Sequence, residues 1–264
     1  MKAIKLILLL AIITQLFSCA QIENNSISTV PYKQVNQKVD SLEQSFMDWW
    51  TYYNREIMLS SNFIPLDTSY VEISKADFLQ SLRTGAYIPF KLKSKNGSTY
   101  YRLSPLSTKA NEDIVTTMQR SALIARSQYQ REGQVFPDFE FTALDGKVYN
   151  NQNTQGKYLI LKCWFIACTS CVREFSDLNK LVDQYKNRSD IEFISLAYDD
   201  EEALLEFLSK KPFNYATASV PAPFMHNEMK VGGYPTHFII DPDGMIKKVV
   251  NSYHELEVAM EEIL

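Results

Sequence analysis

The sequence predicts an α/β fold over residues 134–264, a central mixed sheet flanked by helices, preceded by a small α+β extension over residues 33–133. Two near-continuous apolar runs, "KYLILKCWF" and "IEFISLAYD", are each followed by an amphipathic helix pattern, an order that requires parallel strands with crossover helices. A later strand pair is joined through the turn "DPDG" and must therefore be antiparallel, which makes the sheet mixed. Upstream of residue 134, helix and hairpin patterns appear without that alternation.

In the extension, Val39, Leu42, Phe46, Trp49, Trp50, Tyr53 and Ile57 recur at steps of three and four, so residues 37–58 are expected to form a helix with this stripe in the core. A second helix is expected to begin at the cap Ser74, with Asp77 three residues on, and to end before Gly85. Asn96-Gly97 fits a two-residue hairpin turn between strand-like segments. Residues 111–132 place Ile114, Met118, Ala122, Ala125 and Tyr129 on one helical face, and Gly133 stops that helix. The region presents no catalytic constellation, and a scaffolding role is expected for it.

Beyond it, residues 136–150 alternate apolar and polar around Asp145-Gly146, as a leading hairpin does. The run from Lys157 to Phe165 reads as a strand buried on both faces, and the segment from Cys168 to Asn187 as one helix with Val172, Phe175, Leu178, Leu181, Val182 and Tyr185 inward. "IEFISLAYD", the helix "DEEALLEFLSKK", two strands in "THFIIDPDGMIKKVV" and the helix "HELEVAMEEIL" complete the domain.

Composition bounds the function. With 45% hydrophobic and 12% aromatic residues the 264-residue chain can build ordinary cores. Its net charge of -4, with Lys and Arg scattered among carboxylates, argues against nucleic acid as a partner. Residues 1–18 have a charged start and an apolar run too short for a spanning helix, the pattern of a secretory signal. The end of that run, "LFSC", resembles a bacterial lipobox, so Cys19 is expected to be lipidated and residues 19–32 to tether the folded part to a membrane of the bacterial envelope, facing the periplasm.

An exported chain meets an oxidising compartment, and three of its four cysteines, Cys163, Cys168 and Cys171, lie within nine residues. Cys168 and Cys171 stand at a strand-to-helix junction, where unsatisfied N–H groups and the helix dipole favour a thiolate. Cys168 is expected to be the exposed nucleophile and Cys171 the resolving thiol. A zinc site needs two more ligands at fitting spacing, but His226, His237 and His254 stand singly. A structural disulfide across two intervening residues would constrain the unfolded chain little. Cys163, inside the strand, is expected to be an inert core thiol.

"LILKCWFIACTSCVREF" and "VGGYPTHFIIDPDGMIKK" together resemble the active-site helix and the cis-proline segment of thioredoxin-like proteins of the TlpA/ResA type, exported and membrane-tethered thiol-disulfide oxidoreductases. The resemblance covers residues 136–264. It implies a thioredoxin-like fold, a redox-active Cys168–Cys171 disulfide, a cis bond before Pro235, and a Tyr234 backbone that pairs with a bound substrate segment. It also implies that Glu174, three residues after Cys171, has a raised pKa and shuttles a proton to or from the Cys171 thiolate, the alternative being a surface carboxylate that the helix dipole favours in the first turn. The expected partners are disulfide-bearing exported proteins and an upstream electron donor or acceptor, with no organic cofactor and no bound metal.

Where relatives commonly carry Trp before the first cysteine and Pro between the pair, this chain has Ala167, Thr169 and Ser170, so the usual aromatic surface beside the nucleophile is expected to be missing. Lys162, six residues before Cys168, is expected to reach the surface, the alternative being a pairing with Glu174 or a thiolate. The favoured activity is reduction of exported protein disulfides. Its rivals are a peroxiredoxin-like peroxidase, weakened by Phe165 where a Thr or Ser is wanted, and a copper chaperone using a histidine such as His237 beside the two cysteines.

Overall fold

The computed structural model describes residues 32–33 and 42–264, so the expected signal peptide, Cys19 and most of the expected tether lie outside the described residues. Tyr32–Leu264 forms one compact unit. Tyr32, assigned above to the tether, instead begins a two-residue strand.

The extension contains β1 (Tyr32–Lys33), β2 (Ile64–Leu66), β3 (Tyr87–Ser94) and β4 (Tyr100–Pro105), in the order β1-β3-β4-β2. β2 runs parallel to β4, and the other neighbours are antiparallel. β3 and β4 are the hairpin expected at Asn96-Gly97, and Gly97 adopts the positive φ of 81° that a side chain would resist. Three helices, α1 (Phe46–Glu56), α2 (Lys75–Arg83) and α3 (Glu112–Tyr129), pack on this sheet through Trp49, Phe78, Leu82, Ile114, Met118 and Ala122. α1 begins at Phe46, where Ser45 caps it, its Oγ accepting from the Asp48 N–H at 3.3 Å, while residues 37–41 of the expected helix lie outside the described residues. The Trp pair is split: Trp49 is fully buried, while Trp50 is 38% exposed.

The second half places β7 (Tyr158–Trp164), β8 (Ile191–Ala197), β9 (Ala216–Ser219), β10 (Thr236–Ile240) and β11 (Ile246–Val250) in the order β11-β10-β7-β8-β9. β7, β8 and β9 are parallel; β10 and β11 are antiparallel to their neighbours. This is the mixed sheet of a thioredoxin-like fold. Alternation along β7 sends Leu161 and Cys163 to one face, packed with Phe136, Leu196 and Phe238, and Ile160 to the other, packed with Leu178, Ile239 and Met260. The second face is covered by α5 (Phe175–Tyr185) and α7 (Tyr253–Ile263), and α6 (Glu201–Lys210) supplies the crossover between β8 and β9.

Both sheet edges are occupied. Residues 133–136 run beside β11, with Gly133 N–H donating to Ile246 O at 2.8 Å and Ile246 N–H to Gln134 O at 2.8 Å. After the hairpin β5 (Glu140–Thr142) and β6 (Val148–Asn150), Leu144 N–H donates to Thr217 O of β9 at 2.8 Å. Edge strands covered in this way offer no free ladder to other chains.

Two features depart from the sequence reading. β9, with the sequence ATAS, carries too few large apolar side chains to register as a strand, yet it pairs with β8 from Ala216 to Ser219. The long helix after Cys168 is broken at Glu174 into α4 (Thr169–Arg173) and α5.

The two halves are joined by polar contacts on Lys248, 4% exposed, whose Nζ donates to Ser60 O at 2.8 Å and Asn62 Oδ1 at 3.1 Å and lies 3.6 Å from Glu132 Oε1. Asn62 N–H donates to Glu262 Oε1 at 2.8 Å, and Ser60 Oγ to Glu255 Oε1 at 2.8 Å. Truncating Lys248 strands those acceptors, so Lys248→Ala should lower the urea unfolding free energy by about 1–3 kcal/mol. Unfolding should remain one transition followed equally by far-ultraviolet circular dichroism and tryptophan fluorescence; two separated transitions would contradict this coupling.

Candidate active site

β7 ends at Trp164, and four residues carry the chain from the sheet to the head of α4. The loop is fixed from two sides: Cys168 N–H donates to Phe165 O at 3.0 Å, and Ile166 N–H donates to the Asp199 carboxylate at 2.8 Å. Asp199 follows β8, so the loop is set by the neighbouring parallel strand, at the carboxyl end of the sheet where open α/β folds place their sites. Beneath it, buried Trp164 Nε1 donates to Ser195 Oγ at 3.2 Å, which is 2.8 Å from Thr217 Oγ1 and so links β7, β8 and β9.

Cys168 is the N-cap of α4 and is joined to Cys171 in a disulfide. Its Sγ accepts the Cys171 N–H at 3.2 Å, and Ser170 Oγ lies 3.4 Å away. Sulfur at the cap position receives an N–H group that the helix cannot satisfy itself, the arrangement that favours a thiolate on reduction. Cys168 is 7% exposed and Cys171 not at all, so incoming groups reach the first sulfur and not the second. The Tyr234–Pro235 peptide is cis, and Tyr234 packs against the cluster that contains both cysteines.

An aromatic surface beside the pair is present after all, built from residues distant in sequence. Phe165 stacks on Tyr198 with centroids 4.9 Å apart and meets Tyr234 edge-on at 5.3 Å, and Tyr198 lies 5.8 Å from Tyr234. Tyr234 OH is 3.1 Å from His226 Nε2. The expectation drawn from Ala167 is corrected to this extent: no Trp precedes Cys168, but Phe165 and Tyr234 pack against the cluster that contains both cysteines.

Behind the disulfide lies a buried charge cluster. Lys162 and His237 are cross-strand partners on β7 and β10, and both are fully buried. Lys162 Nζ donates to Glu174 Oε2 at 2.6 Å, His237 Nε2 is 3.1 Å from the same oxygen, and Tyr253 N–H at the head of α7 donates to Oε1 at 2.8 Å. Lys162 therefore does not reach the surface; it pairs with Glu174.

The electrostatics also overturn the raised pKa expected for Glu174. Burial would push its carboxyl up, but the hydrogen bond of His237, the charge which that imidazole takes up in acid, and the charge and hydrogen bond of Lys162 outweigh burial and hold it down at about 2. Desolvation, helped by the Lys162 charge, depresses His237 to about 4 despite the pull of Glu174. Desolvation also lowers Lys162, against the attraction of Glu174. Near neutral pH the cluster is thus a carboxylate, an ammonium and a neutral imidazole whose Nε2 donates to Glu174, leaving Nδ1 without a partner among the described residues. A carboxylate held this firmly is not poised to carry protons.

Cys163 is free and fully buried, its thiol pushed up to about 12 by desolvation, in keeping with an inert core residue. Among the described residues no group of three or more His, Cys, Asp or Glu side chains is placed to hold a metal ion, and no helix is long and apolar enough to cross a membrane.

A dithiol–disulfide pair capping a helix at the end of a mixed sheet, with a cis-proline loop packed beside it, defines a thioredoxin-like thiol-disulfide oxidoreductase. The AhpC/TSA family matches residues 133–249. The thiol-disulfide oxidoreductase ResA of Bacillus cereus is 30% identical over 120 residues, 45% of this chain and 69% of that protein. ResA of Bacillus anthracis is 30% identical over 115 residues, 43% of this chain and 66% of that protein, a little under two thirds of its length. A solved thioredoxin domain of a thiol-disulfide oxidoreductase from Bacteroides vulgatus is 20% identical, covering 50% of this chain and 96% of its own, with a TM-score of 0.45. The chain belongs to the family of the ResA thiol-disulfide oxidoreductases.

Two outcomes follow. After reduction, iodoacetamide on the folded protein should label Cys168 first and Cys163 only in denaturant, as peptide mapping by mass spectrometry would show; rapid native labelling of Cys163 would contradict its burial. Stability should fall with acid in two stages. The unfolded chain protonates His at about 6.5, whereas folded His237 resists to about 4, and Glu174 loses its contribution between about 4.3, its unfolded value, and about 2. Glu174→Gln should shrink the lower stage, to which the depressed carboxyls of Glu43 and Glu192 also contribute, and cost about 3 kcal/mol at pH 7, because it leaves buried Lys162 unpaired. Urea unfolding across pH measures both.

Proposed function

We propose that the chain is a lipid-anchored reductase of disulfides in exported proteins, held to the envelope by Cys19 and facing the periplasm. The observation that carries the reaction is the pairing of a capped Cys168, 7% exposed and so less open than expected, with a fully buried Cys171 beside the cis Tyr234–Pro235 bond. In the reduced protein the Cys168 thiolate attacks a substrate disulfide, forming a mixed disulfide while the first substrate sulfur leaves as a thiolate and takes up a proton. Deprotonated Cys171 then attacks Cys168 Sγ, forming the internal disulfide and releasing the second substrate thiolate. Two electrons pass to the substrate, and a dithiol donor protein upstream restores the pair by the reverse exchange.

In this reading Tyr234 and Pro235 line the substrate groove, with the aromatic trio as its apolar floor. Glu174 acts by position: it anchors the start of α5 against β7, β10 and α7 and cancels the Lys162 charge behind the cysteines. That cancellation supports the reducing direction, since an unpaired cation there would stabilise the thiolates and make the pair more oxidising. The shortness of α4, five residues before the break, also limits the dipole acting on Cys168. The copper-chaperone reading is weakened at His237, which is fully buried with its Nε2 against Glu174.

Reduction of insulin and of glutathione mixed disulfides should be lost in Cys168→Ser, while Cys171→Ser should accumulate a stable mixed disulfide through Cys168. Retained turnover in Cys168→Ser would remove the nucleophile assignment, and peroxide consumption without disulfide reduction would favour the peroxidase. The reduction potential should lie nearer about -270 mV than about -120 mV.

A further inference from the structure

A groove of about 780 Å³ opens where the extension meets the cis-proline loop. One wall is α3, and the opposite side is the loop from Gly232 to Pro235. Its volume lies within the range of binding sites for organic ligands and short peptide segments. Tyr234 joins the groove to the redox centre, since it lines the groove and also packs against the cluster around Cys168.

The chemistry of the lining is specific. Leu123 and Ile124 of α3, 51% and 46% exposed, offer apolar contact. Arg120, Arg131 and Lys230 bring three cations, whereas Glu255 brings one carboxylate, whose two oxygens are already engaged by Ser60 Oγ, Asn251 N–H and Ser252 Oγ. Arg131 donates to the carbonyls of Met229 and Lys230 and stacks on the Phe238 ring at 4.6 Å, so its guanidinium is fixed without a neutralising carboxylate among the described residues. The chain as a whole is acidic, with a net charge of -4, and a basic groove beside its redox centre stands against that background.

α3 also reaches the substrate loop through hydrogen bonds. Gln128 Nε2 donates to Asn251 Oδ1, and Asn251 Nδ2 donates to Pro235 O at 2.8 Å and Thr236 Oγ1 at 3.0 Å. The same helix therefore lines the groove and holds the loop across which a substrate would lie.

We infer that this groove is a substrate subsite in which α3 of the extension and the cis-proline loop bind an extended, acidic polypeptide segment with an apolar side chain, the segment flanking a substrate's cysteine. The inference rests on the proposed reduction of protein disulfides, and it gives residues 33–133 a part in choosing the substrate. The occupant is polypeptide because the groove runs directly into the cis-proline loop, and acidic because the fixed charges are mainly cationic.

The test is equilibrium binding of fluorescent peptides to the full mature chain, followed by anisotropy. Three peptides share one apolar residue and carry Glu, Gln or Lys at the flanking positions, and serine replaces the cysteine so that no exchange chemistry takes part. The Glu peptide should bind about tenfold more tightly than the Lys peptide, with the preference shrinking at about 0.5 M salt. Arg120→Glu with Lys230→Glu, both at exposed positions, should reverse the order, and Leu123→Ser with Ile124→Ser should weaken all three. Equal affinities for the three peptides, or an unchanged order in the charge-reversed variant, would overturn the subsite. Loss of disulfide reduction in the separate enzymatic assay, with the Glu preference intact, would instead fault the reductase reading and leave the groove as an acidic-peptide site.

Discussion

The carboxylate of Glu174 is the point at which the active-site half of the molecule is tied together. One side chain receives Lys162 from β7, His237 from β10 and the first N–H of α7, and it does so where the helix carrying Cys168 and Cys171 breaks. A buried ion pair of this kind need not add net stability, because desolvating both charges offsets much of their attraction. Its effect is on geometry: with Lys162 fully buried, moving Glu174 away would leave that charge unpaired, which ties the end of α4 to the sheet. The cysteines inherit that placement.

The same cluster sets the electrostatic character of the site. A carboxylate alone behind the cysteines would disfavour thiolates, and an ammonium alone would favour them. Here the two cancel, and His237 contributes a neutral donor. Stabilisation of the Cys168 thiolate is left to the cap hydrogen bond from Cys171 N–H and to the short α4, a modest local effect. In the disulfide state the Glu174 carboxyl is held far below neutrality.

Much of the fold and the reactive pair was legible in the sequence because the signals are local. Apolar runs of strand length, the cap Ser74, the Asn96-Gly97 turn and the spacing of Cys168 and Cys171 all act within a few residues. What escaped depends on register and on loops meeting in space. His237 becomes a partner of Glu174 only through the antiparallel pairing that sets it opposite Lys162, and Phe165, Tyr198 and Tyr234 form a surface only because three loops converge. Proximity of Glu174 to the cysteine helix was readable, whereas the sign of its pKa shift was not, since that depends on partners from β7 and β10. β9 went unseen because its four small residues derive their strand conformation from β8.

The central claim, that Glu174 is a held anion and not a proton carrier, is tested most directly by following its side-chain carboxyl carbon through a pH titration by nuclear magnetic resonance, in the oxidised and the reduced protein. The account predicts a single transition well below the usual carboxylate range, near about 2, with no change in shift between pH 5 and 8 that follows its own protonation. A transition of that carboxyl between pH 5 and 8 in either state would contradict it and return Glu174 to the role of proton shuttle.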